Sequence, residues 1–285
     1  MIKFINKVLF PICIVWYKKY TNSQNLYIFI NRQFKVYKMK RIYLFMSMLI
    51  GVLLLGISVA VAIPQVARDN WQAPDHSPVI TEDGDLIRVD FIHFAKPPNA
   101  GSGKPSKSTS CYKLMGVKWP GLPVQYVINP TNQDGMSQNF VTSTISKSAE
   151  TWDAATPAEL FSNSYAVDST AQYGVQDYVN TIQFGNYGSS NTIAVTSVWY
   201  TRAGKRIVEF DMLFNERYLW GNADDSLGFM DLQNIATHEL GHSVGLDDLY
   251  NSCIEETMYG YSGYGETKKR TLEPADIEGL RKMYG

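Results

Sequence analysis

His238-Glu239-Leu240-Gly241-His242-Ser243-Val244-Gly245-Leu246-Asp247-Asp248 is the stretch on which the fold and the chemistry turn. His238 and His242 stand four residues apart, and in a helix positions i and i+4 share a face. That spacing lets both imidazoles reach one tetrahedral ion. Glu239 follows the first histidine, placed to reach a water on the ion without ligating it. The surroundings favour a helix here. Asp231 suits an N-cap, and Leu232, Ile235, Ala236, Leu240 and Val244 give it an apolar flank. Gly245 offers the left-handed residue that ends a helix and turns the chain. Three residues further on, Asp248 can fold back as a third ligand, with Asp247 a rival one residue away. The five-residue pattern alone is weak evidence, since its bland reading is a solvated helix that happens to carry two histidines. The glycine at the right offset and the carboxylate after it give the pattern its weight.

Downstream come Glu256-Thr257-Met258-Tyr259-Gly260-Tyr261 and a closing segment from Leu272 to Gly285. With these on the page, the stretch from His238 to Gly285 resembles the metzincin clan of zinc proteases and, within it, the matrixin family. The helix-glycine-turn motif matches at His238, Glu239, His242 and Gly245, the Met-turn at Met258, and the closing helix from Leu272 to Gly285. Upstream the resemblance is looser. Leu122 to Asn129 suits a first strand, Ser137 to Ala155 a long helix, and Thr181–Phe184, Thr192–Tyr200 and Ile207–Phe214 later strands. It covers roughly 111–285 and implies an α+β metzincin-type catalytic domain. Expected are a twisted mixed five-stranded sheet, a backing helix, the zinc-binding helix, and a small C-terminal lobe with a final helix.

The resemblance also assigns roles. Zinc is held by His238, His242 and the residue at 248, whose offset from Gly245 favours Asp248 over Asp247. Glu239 is the general base, Met258 an apolar floor under the ion, and Asp276 a brace for the Met-turn backbone. An edge strand through Phe210, Asp211 and Met212 is expected to hold an extended peptide substrate. Tyr259, Tyr261 and Tyr264 stand either at the pocket beyond the scissile bond or as packed surface aromatics. The family's usual third ligand is histidine; a carboxylate there is the snapalysin-like variant, and it makes zinc a somewhat weaker Lewis acid. His76 and His93 precede the expected domain, so one zinc is predicted. Calcium has only the acidic residues around Asp224 and Asp225 to suggest it, without a motif. No cysteine-switch motif is present.

Charge is distributed unevenly. Residues 1–68 hold ten Lys/Arg and no acid, residues 69–110 four against six acids, and residues 111–285 twelve against twenty-one. A basic start before an acidic folded part suits export and argues against nucleic acid, whose phosphates the folded part would repel. From Met39 a short basic region (Lys40, Arg41) precedes an apolar run from Ile42 that ends in Ala60-Val61-Ala62, the layout of a signal peptide cleaved after Ala62. The rival is a retained membrane anchor over 42–62. Residues 1–38 are biased toward Ile, Lys, Asn, Phe and Tyr and read as a mis-called start, with translation beginning at Met39. Residues 63–110 contain one alternating strand, Leu86–Ile92, and then Pro-, Gly-, Ser- and Lys-rich linker composition; they read as a pro-segment or stalk.

Cys13 lies in the leader, which leaves Cys111 and Cys253. In an exported chain such a pair commonly bonds, adding on the order of 4–5 kcal/mol at most in the loop-entropy account. The rival is a free Cys111 whose thiolate caps the metal. The expected function is a monomeric zinc endopeptidase acting on extracellular or envelope polypeptides, secreted or anchored. The competing class is a catalytically idle envelope or adhesion protein stabilised by zinc, which would have no need of Glu239.

Overall fold

In chain order the strands are β1 (Val79–Asp83), β2 (Leu86–Ala95), β3 (Val127–Asn129), β4 (Ala166–Val167), β5 (Thr181–Gly185), β6 (Thr192–Thr201), β7 (Ile207–Asn215), β8 (Trp220–Gly221), β9 (Met230–Asp231) and β10 (Tyr261–Ser262). Among the described residues there are also three helices, α1 (Gln138–Asp153), α2 (Leu232–Ser243) and α3 (Pro274–Tyr284), and a 3₁₀ turn at Lys268–Arg270. This computed structural model describes residues 77–97, 110–250 and 253–285. The expected leader 1–38 and export segment 39–62, most of the linker beyond Pro97, and His76 lie outside the described residues. No helix among the described residues is long and apolar enough to cross a membrane.

Each helix follows from local chemistry. The Ser137 hydroxyl accepts from Phe140 N at 3.1 Å and starts α1. Val141, Ile145, Ala149 and Trp152 then fall on one face at helical spacing and are buried. The Asp231 carboxylate accepts from Asn234 N at 2.8 Å and starts α2. Glu273 and Asp276 form a capping box at the start of α3, with Pro274 in its first turn. α1 and α2 pack together, and Trp152 Nε1 donates to Thr237 O at 2.7 Å across their contact.

The main sheet has eight strands. Seven run in the order β1-β2-β6-β7-β5-β3-β4, and β10 adds beside β2. The sheet is mixed, as expected, but has eight strands rather than five; β1, β2 and β10 lie beyond β6. The physical reason is that Ile87, Val89, Phe91 and His93 alternate onto one buried face of β2, while its backbone pairs antiparallel with β6 from Leu86↔Thr201 to Phe94↔Thr192. The segment read as pro-segment or stalk therefore contributes a hairpin to the sheet. β3 is shorter than the expected Leu122–Asn129, and Pro123 brings no N–H for a ladder there.

One assignment is corrected. β7 lies between β5 and β6: Asp211 and Met212 are paired on both sides, Phe210 pairs with Val198 and its N–H donates to Asn180 Oδ1 at 2.8 Å, and none of the three offers an edge to a substrate. Asp211 is buried, and its carboxylate accepts from Gly174 N at 2.6 Å and Thr181 N at 3.0 Å. The antiparallel strand next to the metal helix is β6, and the partner on its outer side is β2.

Cys111 and Cys253 are joined by a disulfide, with Cα atoms 5.6 Å apart across a sequence separation of 142. It ties the start of the segment after the linker to the loop behind the metal helix. α2 ends at Ser243 and the chain turns at Gly245, whose φ is +101°; a Cβ there would sit 2.5 Å from the Val117 carbonyl oxygen. Gly245→Ala should therefore lower the unfolding free energy by about 1–3 kcal/mol in urea denaturation. An unchanged midpoint would show that the turn relaxes freely.

Candidate metal centre

The turn at Gly245 brings Asp248 back against the two histidines. His238 Nε2 and His242 Nε2 are 3.1 Å apart, and Asp248 Oδ1 lies 3.2 Å from the first and 3.5 Å from the second. His238 Nδ1 donates to Thr257 O at 2.6 Å and His242 Nδ1 to Leu246 O at 2.9 Å. These bonds fix the protons on Nδ1, so the two Nε2 lone pairs point at each other and at a carboxylate. Asp248 Oδ1 is buried and accepts no hydrogen bond among the described residues. Three buried acceptors facing one another are repulsive unless a cation sits among them. Ligand atoms on a tetrahedral zinc with bonds of about 2.0–2.1 Å stand about 3.3–3.4 Å apart, and the observed triangle matches that spacing. The donor set fits zinc, and the outer hydrogen bonds are of the kind that orient histidine ligands.

Asp247 is excluded from the triangle by its own contacts. Its carboxylate pairs with Lys113 Nζ at 2.7 Å and accepts from Asp248 N at 2.8 Å. Met258 is fully buried, with its sulfur against Gly241 of α2, where an added Cβ would collide with it and with the Trp152 ring. Asp276 accepts from Thr257 N at 2.8 Å and Met258 N at 3.2 Å. Tyr259 and Tyr261 are buried in a cluster with Phe94, and Tyr264 is exposed. Asp224 is engaged by Arg270, whose guanidinium also clasps Asp231 and Asn222.

Residues 118–285, more than half of the sequence, match the family profile described as Matrixin. The chain belongs to the matrixin family. Human matrilysin is 29% identical over 175 residues, which is 59% of this chain and 59% of that protein. Human matrix metalloproteinase-16 is 26% identical over 209 residues, 68% of this chain and 33% of that protein. The hatching enzyme of Paracentrotus lividus is 26% identical over 178 residues, 61% of this chain and 27% of that protein. The chain thus spans between about a quarter and three-fifths of these relatives' lengths.

Around the triangle this matrixin carries side chains that the sequence did not single out. Glu239 is fully buried; Thr196 Oγ1 donates to its Oε2 at 2.6 Å, and His93 Nδ1 lies 3.0 Å from its Oε1. His93 is on β2, and its ring centroid is 4.0 Å from that of His238. Lys269 is also fully buried; its ammonium donates to the Tyr259 carbonyl and lies 3.3 Å from His93 Nε2. The Tyr250 hydroxyl is 3.2 Å from Asp248 Oδ2. His93 had a legible signal: it continues the inward alternation of Ile87, Val89 and Phe91 one step past the expected end of the strand. Lys269 had none, because Lys268-Lys269-Arg270 reads as a solvated charge run.

Burial governs the proton affinities here. It pushes Glu239 up to about 7 and, with the nearby Lys269 charge, pushes His238 down to about 3. Burial alone would lower His242 too, but the Asp248 carboxylate outweighs it and lifts His242 to about 8. Burial works against the Asp248 carboxylate as well, yet the imidazoles hold it well below its usual range. In the metal-free chain a proton on His242 therefore occupies the space meant for the cation. Zinc must displace that proton, so zinc affinity should climb with pH and level off above about 8. Chelator competition across that range checks it, and a flat affinity would contradict the ligand assignment.

Proposed function

We propose that this matrixin is a zinc-dependent endopeptidase, with His238, His242 and Asp248 holding the ion and Glu239 as general base. Asp248 gives it the ligand set of the snapalysin-like metzincins. The observation that carries the reading is Glu239 itself. It is a buried carboxylate one residue after the first ligand, outside the ligand triangle and held in place by Thr196. A purely structural zinc site closes its fourth position with protein and has no use for such a group.

Bound at the triangle, zinc would supply Lewis acidity toward a water and a peptide carbonyl. Glu239 takes the proton of the attacking water and returns it to the leaving amine. Its proton affinity near 7 suits a base that must both accept and release a proton near neutral pH. The Thr196 hydroxyl holds Oε2, and His93 Nδ1 lies 3.0 Å from Oε1, so both oxygens of the base are held in place. Met258 and Trp152 pack the back of α2, so the imidazoles cannot swing away as charge shifts. Substrates are polypeptides, held extended through main-chain hydrogen bonds. Their setting is extracellular or envelope, given the export segment over 39–62, and the enzyme acts as a monomer.

The zinc-loaded chain and Glu239→Ala should both hold about one zinc per chain. Release of fragments from a mixed peptide library should fall by roughly 10²–10⁴-fold in the variant. Equal cleavage by the two proteins would remove Glu239 from the chemistry, and an absence of zinc from both would remove the triangle.

A further inference from the structure

Lys269 is a fully buried cation beside a site for another cation. Its Nζ donates to the Tyr259 carbonyl and lies 3.3 Å from His93 Nε2 and 3.4 Å from His238 Nδ1. Burying an ammonium is costly, and an apolar side chain of similar volume would fill the same space without that cost. What lysine offers there is hydrogen-bond donors. His238 Nδ1 already carries the proton bonded to Thr257 O, so it has no lone pair for Nζ. His93 Nε2 has one.

His93 passes the bond on. Its ring is wholly buried, with Nδ1 3.0 Å from Glu239 Oε1 and Nε2 3.0 Å from Ser262 Oγ. The ionised carboxylate of a general base only accepts. The ring therefore donates from Nδ1 and accepts at Nε2, where Nζ and the Ser262 hydroxyl meet it. Asn234 closes the chain of bonds: its Oδ1 accepts from Lys269 N at 2.8 Å, and its Nδ2 lies 3.5 Å from Ser262 Oγ. Asn234 and Glu239 both belong to α2, so the bonds leave that helix and return to it. Ile87, Val89 and Phe91 hold β2 in the main core, which makes His93 a fixed member of the centre.

The last torsion of a glutamate is soft, so the plane of its carboxylate must be set from outside. Thr196 Oγ1 holds one oxygen at 2.6 Å, and the imidazole holds the other. We propose that Lys269 and His93 are positioning residues for the general base: Lys269 seats the imidazole, and the imidazole Nδ1–H sets the plane of the Glu239 carboxylate. This rests on the endopeptidase reading above. A carboxylate oxygen accepts more than one hydrogen bond, so Oε1 keeps a lone pair for the proton of the attacking water, and the two holds aim it. Neither Lys269 nor His93 exchanges a proton with substrate; each acts through Glu239.

The test uses the full zinc-loaded chain at one fixed pH. Long-range proton–nitrogen NMR correlation of the imidazoles should show the His93 proton on Nδ1 and a bare Nε2; the reverse would overturn the proposal without any variant. On a short peptide that the parent cleaves, His93→Leu should lower kcat by roughly ten- to a hundredfold, with KM and zinc content unchanged. His93→Asn, whose amide nitrogen falls where Nδ1 was, should recover most of that loss. His93→Gln, whose amide falls where Nε2 was, should recover little, and this pair carries the test if His93→Leu fails to fold. Lys269→Met should lower kcat by about three- to tenfold in the parent and no further in a His93→Gln background, because the two residues act in series. Equal losses in both backgrounds, equal recovery by Asn and Gln, or a change in KM instead of kcat would each overturn the proposal. If the Nδ1 proton and the zinc are found as expected and the parent cuts no peptide, the hydrogen-bond chain stands and the endopeptidase reading fails.

Discussion

Three acceptor atoms held face to face, His238 Nε2, His242 Nε2 and Asp248 Oδ1, form the constraint on which the rest of the structure depends. Their mutual repulsion is relieved by a proton on His242 or by a cation, and the groups around them hold the triangle in shape. Helix periodicity sets the first two vertices, and the left-handed turn at Gly245 sets the third. The outer bonds then reach far along the chain. His238 is oriented by the Thr257 carbonyl, Thr257 and Met258 are held by Asp276, and Asp276 is a member of the capping box that begins α3. The last helix thus acts on the metal site without touching it.

The same centre concentrates ionisable groups where water is scarce. Glu239, Asp248, His93, His238, His242 and Lys269 are all buried within one neighbourhood. Unpaired charges there would be costly, and the arrangement limits them by pairing each carboxylate with a donor or a ligand position. Lys269 is the least expected member. Burial lowers its ammonium to about 7, and its direct bond is to the carbonyl of Tyr259 just after the Met-turn. It ties the 3₁₀ turn at Lys268–Arg270 to the same backbone that carries Met258, beside a helix whose N-cap Asp231 is gripped by Arg270. Two neighbouring cations of one short turn therefore serve opposite ends of the site, one inward and one at the cap.

Much of this was legible in the sequence because it rests on local spacing. The i, i+4 histidines, the N-cap at Asp231, the glycine turn and the apolar face of α1 each follow from a few consecutive residues. What was not legible depends on which strands become neighbours. Ile207–Phe214 read as a strand and is one, but its being interior is a property of β5 and β6, not of its own residues. Likewise β2 read as a lone strand in a linker, since nothing within it reveals that β6 lies alongside. His93 was set aside for preceding the expected domain; distance along the chain hid a contact that the sheet makes direct. Lys269 was hidden by its company, because the two flanking cations make the run look uniformly solvated.

The edge of β6 explains why binding and self-binding belong to one physics. An antiparallel strand with an open side presents unpaired N–H and C=O groups to any extended chain of suitable shape. Such an edge is a liability, since any strand of the same chain within reach can fill it. β2 fills it from Leu86 to Phe94 while presenting Phe91 and His93 inward to the two ligand imidazoles. Main-chain pairing supplies the hold and the side chains supply the register, because a slip by one residue would turn both rings away from the centre. The register is therefore what the Glu239–His93–Ser262 bonds secure.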